Sequence, residues 1–151
     1  MNRIKCLAWL MAAAAASATS VAAQDVPQVR TAKDTDLKWG PCPPFLPKGC
    51  AISVLNGDPA KRNADIFFKV PANSTLPRHT HTSAERMVLV SGELHVTYDG
   101  HQTAVLKPGS YAYGPAKLPH KAECKNAGPC VLMIAFEAPV DAIATEDQPR
   151  K

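Results

Sequence analysis

One short segment of the chain reads His79-Thr80-His81-Thr82-Ser83-Ala84-Glu85, and Gly92 and His120 follow further along. Side chains alternate between the two faces of a β-strand, so His79 and His81 project to the same side if this segment is extended. Three imidazoles and one carboxylate suffice to bind one divalent transition metal and to leave coordination positions open. The segment therefore indicates a site that could hold a metal ion.

Short strands are predicted on both sides of this segment. Apolar and β-branched runs alternate with Gly, Pro and Asn turn signals, and Asp99-Gly100 is a strong hairpin signal. Besides the histidine segment, the predicted strands are residues 51–55, 65–70, 86–90, 94–98, 102–106, 110–113, 120–124 and 130–136. This pattern predicts an all-β sandwich or barrel without a long helix.

The first residues have the form of an export signal. Arg3 and Lys5 precede a short apolar, alanine-rich stretch, and Val21-Ala22-Ala23 offers the small residues that a signal peptidase reads. The apolar stretch is too short to anchor the chain in a bilayer. We therefore expect residues 1–23 to be a cleaved signal peptide and the protein to be periplasmic. A retained N-terminal helix is the alternative.

The rest of the chain suits a single domain with small-molecule partners. We expect residues 24–50 to be an N-terminal arm and proline-rich loop, residues 51–138 a β-domain, and residues 139–151 a polar C-terminal tail. The formal net charge is only +4, part of it in the leader, and no basic run is interleaved with aromatic residues. The sequence therefore predicts no nucleic-acid partner and no stable membrane insertion after processing.

Four of the five cysteines remain once Cys6 is removed with the leader. An even number in an oxidising compartment predicts disulfides. Cys42 and Cys50 bracket a stiff proline-rich loop, and Cys124 and Cys130 bracket a predicted hairpin connection. We therefore favour the pairs Cys42–Cys50 and Cys124–Cys130, each worth about 2–3 kcal/mol on the chain-entropy model. A thiolate metal site is the alternative, but the spacings do not suit one.

The histidine segment also resembles the first sequence motif of the cupin superfamily. The pattern His79-x-His81-x3-Glu85-x6-Gly92 matches that motif at every position except its opening glycine. Asn73 stands at that opening position, and asparagine can adopt the same left-handed turn conformation. The resemblance covers residues 51–136, which is nearly the whole predicted domain.

The second cupin motif is recognisable from Gly109 through Pro115 to His120. Lys117 stands where a glycine is usual, which puts the tightness of that turn in question. Cys124 stands where an asparagine is usual, and this change agrees with the disulfide predicted above.

The resemblance implies an all-β double-stranded β-helix, a jelly-roll cupin barrel with a metal inside. The ligands that it implies are His79, His81, Glu85 and His120. The cofactor would be one divalent transition metal such as Fe, Mn, Zn or Ni, since imidazole and carboxylate suit all of these. Carbonyl or carboxylate partners are expected for the second ring nitrogens of the histidines. Cupins commonly dimerise by sheet pairing, so a homodimer is expected as well.

The fold class alone leaves the function open. Our first hypothesis is a metal-dependent, dioxygenase-like enzyme acting on a small oxygenated or aromatic molecule. The alternatives are a non-catalytic metal or small-molecule binding or sensing module, and a metal-dependent isomerase or lyase. Trp39-Gly40-Pro41 and residues 109–120 are also loosely similar to the cupin domains of zinc-binding anti-sigma factors.

Other conspicuous side chains are predicted to have lesser roles. We expect His95, His101 and Glu93 at the surface rather than among the ligands. Three basic residues near the ligands are expected to be solvated, namely Arg78, Arg86 and Lys117. Candidates for lining a cavity, most of them expected to be ordinary core, are Phe68, Met87, Tyr111, Tyr113, Met133 and Phe136.

Overall fold

The computed structural model describes residues 26–146, which form eleven β-strands and no helix. The strands are β1 (Gly40–Pro41), β2 (Ala51–Asn56), β3 (Ala64–Val70), β4 (Ser74–Thr80), β5 (Glu85–Ser91), β6 (Leu94–Tyr98), β7 (Ala104–Leu106), β8 (Tyr111–Gly114), β9 (His120–Cys124), β10 (Cys130–Phe136) and β11 (Ile143–Ala144). The predicted signal peptide and the last residues of the predicted tail lie outside the described residues. Within residues 26–146 there is no helix long and apolar enough to cross a membrane.

These strands form two antiparallel sheets. The strand order is β1-β2-β3-β10-β5-β8 in the first sheet and β11-β4-β9-β6-β7 in the second. No strand pairing joins one sheet to the other within the described part of the chain. The all-β prediction is therefore confirmed, but the two layers are separate sheets rather than one closed hydrogen-bonded barrel.

Alternating side chains bring one face of each sheet to a common core. In β5, Glu85, Met87 and Leu89 are buried, whereas the residues between them are exposed. Ile66 of the first sheet and Leu94 of the second belong to the same apolar cluster. Burial of a large aliphatic side chain stabilises a fold by about 1.5–3 kcal/mol. The sheets are thus held face to face by their apolar sides.

The predicted strands agree closely with the observed ones. β9 and β10 begin and end at the predicted residues, and β5 begins one residue earlier than predicted, at Glu85. The sequence did not indicate β1 and β11, because strands of two residues carry no periodic signal.

The turns of the two motifs use left-handed backbone conformations. Asn73 has φ 56°, which confirms its turn, and Lys117 has φ 62°, so the turn keeps its shape without the usual glycine. The Lys117 N–H donates a 2.8 Å hydrogen bond to the carbonyl of His81. Gly92 has φ 86°, and a Cβ there would lie 2.9 Å from the Cα of Cys130. Glycine is therefore required at residue 92.

Both predicted disulfides are confirmed. The Cα atoms of Cys42 and Cys50 are 5.6 Å apart, and those of Cys124 and Cys130 are 5.8 Å apart. Cys124 ends β9 in the second sheet and Cys130 begins β10 in the first. The second disulfide therefore links the two sheets covalently.

The segment after β10 lies against the second sheet. β11 pairs with β4, and the Val140 N–H donates a 2.8 Å hydrogen bond to the carbonyl of Pro59. The described part of the stretch predicted as a polar tail, as far as Glu146, is thus in contact with the domain. This segment, residues 139–146, is called the C-terminal strap below.

Candidate metal centre

Three of the four predicted ligands lie on strands of the two sheets, and the fourth, His81, directly follows one. His79 lies on β4 directly opposite His120 at the start of β9, and His81 follows the end of β4. Glu85 begins β5 in the first sheet, so it approaches from the other layer. All four residues are buried. The two-layer fold therefore brings side chains that are distant in sequence into one interior site.

The three histidines form a compact cluster that could hold a metal ion. One ring nitrogen from each of His79, His81 and His120 lies within 4.8 Å of the other two. Glu85 borders this cluster: its Oε1 is 3.4 Å from Nε2 of His81, and its Oε2 is 3.7 Å from Nε2 of His120. His79 and His81 project to the same side, as predicted from the alternation of side chains along a strand. This shared direction brings their rings into the cluster.

Each histidine is oriented through its other ring nitrogen. Nδ1 of His79 lies 2.7 Å from the Pro77 carbonyl, and Nδ1 of His120 lies 3.2 Å from the Leu118 carbonyl. Nδ1 of His81 contacts the carbonyl of Asp141 in the C-terminal strap. A carbonyl accepts a hydrogen bond, so Nδ1 carries the proton and Nε2 keeps its lone pair for a metal. The expected carbonyl partners are therefore confirmed.

Burial keeps the three imidazoles neutral. It lowers the pKa of His79, that of His81 to about 4 and that of His120 to about 3. Burial also raises the pKa of Glu85 to about 8, and the negative charge of Asp141 adds to this effect. Neutral imidazoles are metal ligands, whereas a buried carboxylate needs a nearby positive charge to ionise cheaply.

One polar atom of the cluster has no hydrogen-bond partner. Nε2 of His81 is buried and unsatisfied. Such an atom costs about 1–3 kcal/mol unless something binds it. A divalent cation would bind this nitrogen and balance the Glu85 charge at once. The donor set therefore fits a divalent transition metal.

An apolar cavity of about 420 Å³ opens onto the cluster. Three of the candidate residues, Phe68, Met87 and Phe136, line it and also belong to the buried apolar core. Tyr111 and Tyr113 do not: they are 63% and 52% exposed on the outer face of β8, because Ala112 packs toward the core instead. This corrects the prediction for the two tyrosines.

Met133 is likewise not a cavity residue. It lies with Phe67 and Val90 along a groove on the opposite side of the first sheet. Phe67 and Met133 are directly paired across β3 and β10, so both project from the same face. The alternation along β10 turns Leu132 and Ile134 to the cavity and Met133 away from it.

The basic residues near the ligands do not line the cavity either. Arg78 was expected to be a solvated charge, but its side chain is only 10% exposed because it pairs with Asp99 and bonds Thr145. Arg86 is about half exposed and pairs with Glu137. Lys117 is exposed in its turn, as expected for a solvated charge.

The two other histidines of the described chain lie apart from the cluster. His101 is exposed, and His95 contacts the Glu93 carboxylate at 2.8 Å. Neither contributes to the group of side chains that could hold a metal.

Sequence reasoning missed two residues of the site. The Tyr98 ring contacts that of His120, with centroids 4.8 Å apart, and its hydroxyl is buried without a partner. The alternation Leu94, Val96, Tyr98 could have indicated this, because all three lie on one strand face. Asp141, whose carbonyl orients His81, carries no comparable signal because it follows the last regular strand of the domain.

Comparisons with known proteins agree with this geometry. Residues 66–136 match the family model described as a cupin domain. No curated protein sequence matches the chain significantly. The DMSP lyase DddQ from Ruegeria pomeroyi has a similar structure, with a TM-score of 0.62 and 20% identity over 72% of this chain. This chain spans only 61% of the length of that lyase.

Two further solved structures are similar over most of their own length. The polyketide cyclase RemF from Streptomyces resistomycificus has a TM-score of 0.61 and 20% identity, covering 80% of this chain and 88% of that one. An RmlC-like cupin from Shewanella frigidimarina has a TM-score of 0.56 and 19% identity, covering 68% and 86%. At these identities the likeness concerns the fold. Together with the matched family model, it establishes that this chain belongs to the cupin superfamily.

Proposed function

We propose that this protein binds one divalent transition metal through His79, His81, Glu85 and His120 and is a metal-dependent oxygenase. Its substrate would be a small oxygenated or aromatic molecule. The observation that carries the proposal is the convergence of three neutral imidazoles and a buried carboxylate at the wall of an apolar cavity. In this proposal the two facing sheets serve as the jelly-roll barrel of a cupin.

The chain's own residues hold the site ready for the ion. The carbonyls of Pro77, Leu118 and Asp141 fix the three rings, so little reorientation is needed on binding. Glu85 offsets one positive charge, and the apolar walls limit the access of water. Iron bound there would supply Lewis acidity and oxygen activation.

A metal-dependent lyase or isomerase is the second candidate. Two of the structural neighbours are named as a lyase and a cyclase, and the same donor set suits zinc or nickel. A non-catalytic binding or sensing module would use the same cavity without turnover. The nature of the bound metal separates the oxygenase from these alternatives.

We also propose that the protein is exported to a periplasm and forms a homodimer. The two disulfides support an oxidising location. β8 is an edge strand with exposed Tyr111 and Tyr113, which supports pairing with a second copy.

The decisive experiment is elemental analysis of the purified protein beside two variants. His120→Ala removes a ligand, and His101→Ala removes an exposed histidine outside the cluster. We expect about one equivalent of iron or manganese in the natural protein and in His101→Ala, and none in His120→Ala. Zinc or nickel would favour the lyase, isomerase or binding roles. Absence of metal after reconstitution would contradict the proposal.

A further inference from the structure

We propose that the ligand of this cavity has one oxygen-bearing headgroup at the metal cluster and an otherwise uncharged, apolar body. It carries at most one negative charge, located on that headgroup. This inference rests on the proposed function and names the chemical class of its substrate. Dicarboxylates, sugar phosphates and other molecules with a second charge are excluded.

The first argument is the composition of the cavity walls. No lysine or arginine lines the cavity anywhere in the described chain, and its walls are mostly aliphatic and aromatic side chains. The ionisable or hydroxyl-bearing side chains that line it belong to His79, His81, Glu85, Tyr98, His120 and Asp141. Most of these belong to the cluster or touch it, so polarity is concentrated at one end of the cavity.

The second argument is the position of the basic side chains that lie close by in sequence. Arg78 is engaged by Asp99 and Thr145, and Arg86 by Glu137, so both are committed to protein partners. Neither residue lines the cavity, and neither does Lys117. No basic side chain of the described chain is therefore placed to receive an anionic group in the body of the ligand.

The charge balance of the site points the same way. With Glu85 ionised and three neutral imidazoles, a divalent cation would leave a single positive charge. One enolate, phenolate or carboxylate oxygen neutralises that charge. A second anion in the body of the ligand would be buried among apolar walls, with no lysine or arginine of the described chain lining the cavity beside it. Burying a charge without a partner is costly.

Tyr98 supplies the polar contact expected of such a headgroup. Its hydroxyl is buried and has no partner, so its proton is available to an oxygen of the ligand. Gly114 makes room for it: a Cβ there would lie 2.6 Å from Oη of Tyr98 and 3.2 Å from Oε2 of Glu85. Tyr98 is therefore a positioning residue for the headgroup, donating one hydrogen bond.

The test compares two rigid fluorescent probes, 2-naphthoate and naphthalene-2,6-dicarboxylate. They share one headgroup and differ by a second carboxylate that must point away from it. Binding is titrated on cobalt-loaded protein, whose visible spectrum reports coordination independently of activity. We expect 2-naphthoate to bind at least about 30-fold more tightly than the dicarboxylate.

A matched pair of lysine variants tests the cause of that preference. Val54 lines the cavity and is 42% exposed at its rim, so Val54→Lys adds a cation that can reach inside. Val88 is a 36% exposed strand valine outside the cavity, so Val88→Lys is the control. Val54→Lys should reduce the preference by about tenfold, and Val88→Lys should leave it unchanged.

Tyr98→Phe tests the headgroup contact. It should weaken 2-naphthoate binding about fivefold, as expected for one lost hydrogen bond, with cobalt content unchanged. Equal affinity of the two probes, or equal effects of the two lysine variants, would overturn the inference.

Failure of the proposed function would give a different result. If no cobalt binds, the metal proposal fails, and the cavity is tested in metal-free protein with 2-naphthol against 2-naphthoate. The uncharged naphthol should then bind more tightly, because the walls offer no cation. Preference for the naphthoate would overturn the inference independently of the metal.

Discussion

Glu85 is the residue whose charge depends most on what binds beside it. Burial raises its pKa to about 8, while the pKa values of His81 and His120 fall to about 4 and 3. At neutral pH the histidines are thus already neutral, and the carboxyl must lose its proton when a metal binds. We expect nearly one proton to be released per ion, and an affinity that rises with pH up to about 8.

Calorimetry in two buffers of different ionisation enthalpy measures this proton release. Glu85→Gln should release no proton and should bind the ion more weakly, because it lacks the charge. Proton release that is unchanged in Glu85→Gln would show that another group titrates.

Gly114 is the second residue with a measurable role. A methyl group there would collide with the Tyr98 hydroxyl at 2.6 Å, whereas at Gly40 the nearest atom would be 3.9 Å away. Gly114→Ala should therefore destabilise the protein by about 1–3 kcal/mol and weaken metal binding. Gly40→Ala, the control, should change stability by less than about 0.5 kcal/mol. Denaturant titrations measure the stabilities of the two variants. Equal stabilities would contradict the expected collision with the Tyr98 hydroxyl.

At this scale the sequence was informative where a residue type and its spacing belong to a motif. It indicated His79, His81, Glu85 and His120 as ligands, and the structure brings all four together. It could not indicate Asp141, because a backbone carbonyl acts there and any residue has one. It also placed Tyr111 and Tyr113 among the candidates for the cavity or core, although both side chains point outward. A one-residue change of register turns every side chain of a strand to the other face.

At the scale of the elements, we expect the disulfide between β9 and β10 to contribute more stability than the disulfide that closes the proline-rich loop. Cys124 and Cys130 are buried, 1% and 0% exposed, and they link the two sheets. The two loops are similarly short, so their closure entropies are similar. Replacing Cys124 and Cys130 together by alanine should cost more than the about 2–3 kcal/mol of loop closure.

The matched control replaces Cys42 and Cys50 together, where Cys42 is only partly buried. Chemical denaturation of the two double variants gives the comparison. A larger loss of stability at the proline-rich loop would contradict the importance of the link between sheets.

The C-terminal strap is the element with the most direct effect on the metal cluster. It supplies the carbonyl that orients His81 and pairs with the strand that carries His79. Deletion of residues 139–151 should therefore weaken metal binding and accelerate metal exchange. Deletion of residues 147–151 alone leaves the strap intact and is the control. Competition with a chromophoric chelator measures the rate of metal exchange in the two deletion variants. Equal rates would contradict this role of the strap.

Strands were predictable from sequence in proportion to their length. Long strands such as β10 bury alternate side chains and are bounded by turn residues, so pattern and structure coincide. β11 consists of two exposed residues, and tertiary pairing with β4 rather than local pattern defines it.

For the whole molecule, metal binding should appear as a gain in stability. A ligand that binds only the folded state stabilises it by about 2.7 kcal/mol when present at 100 times its dissociation constant. Treatment with a chelator should therefore lower the unfolding temperature of the natural protein and of His101→Ala. His120→Ala should show no such change, and an equal shift in all three would indicate metal binding elsewhere.

The fold as a whole was predictable because its signals agree with one another. Short alternating strands and turns rich in glycine, proline and asparagine all indicated an all-β sandwich or barrel. The face-to-face arrangement of the sheets and the apolar cavity could not be read in detail, since they depend on which sheet each strand joins. That choice is made by non-local pairing, as between β5 and β10.

The contact between His81 and the carbonyl of Asp141 also sets an order of events during biosynthesis. The two residues are 60 positions apart, so we expect His81 to acquire its final orientation only after the chain has been synthesised through residue 141. Loading of the complete site is therefore a late step. If the chain is exported unfolded, the ions available at its destination, rather than those of the compartment of synthesis, decide which metal it carries.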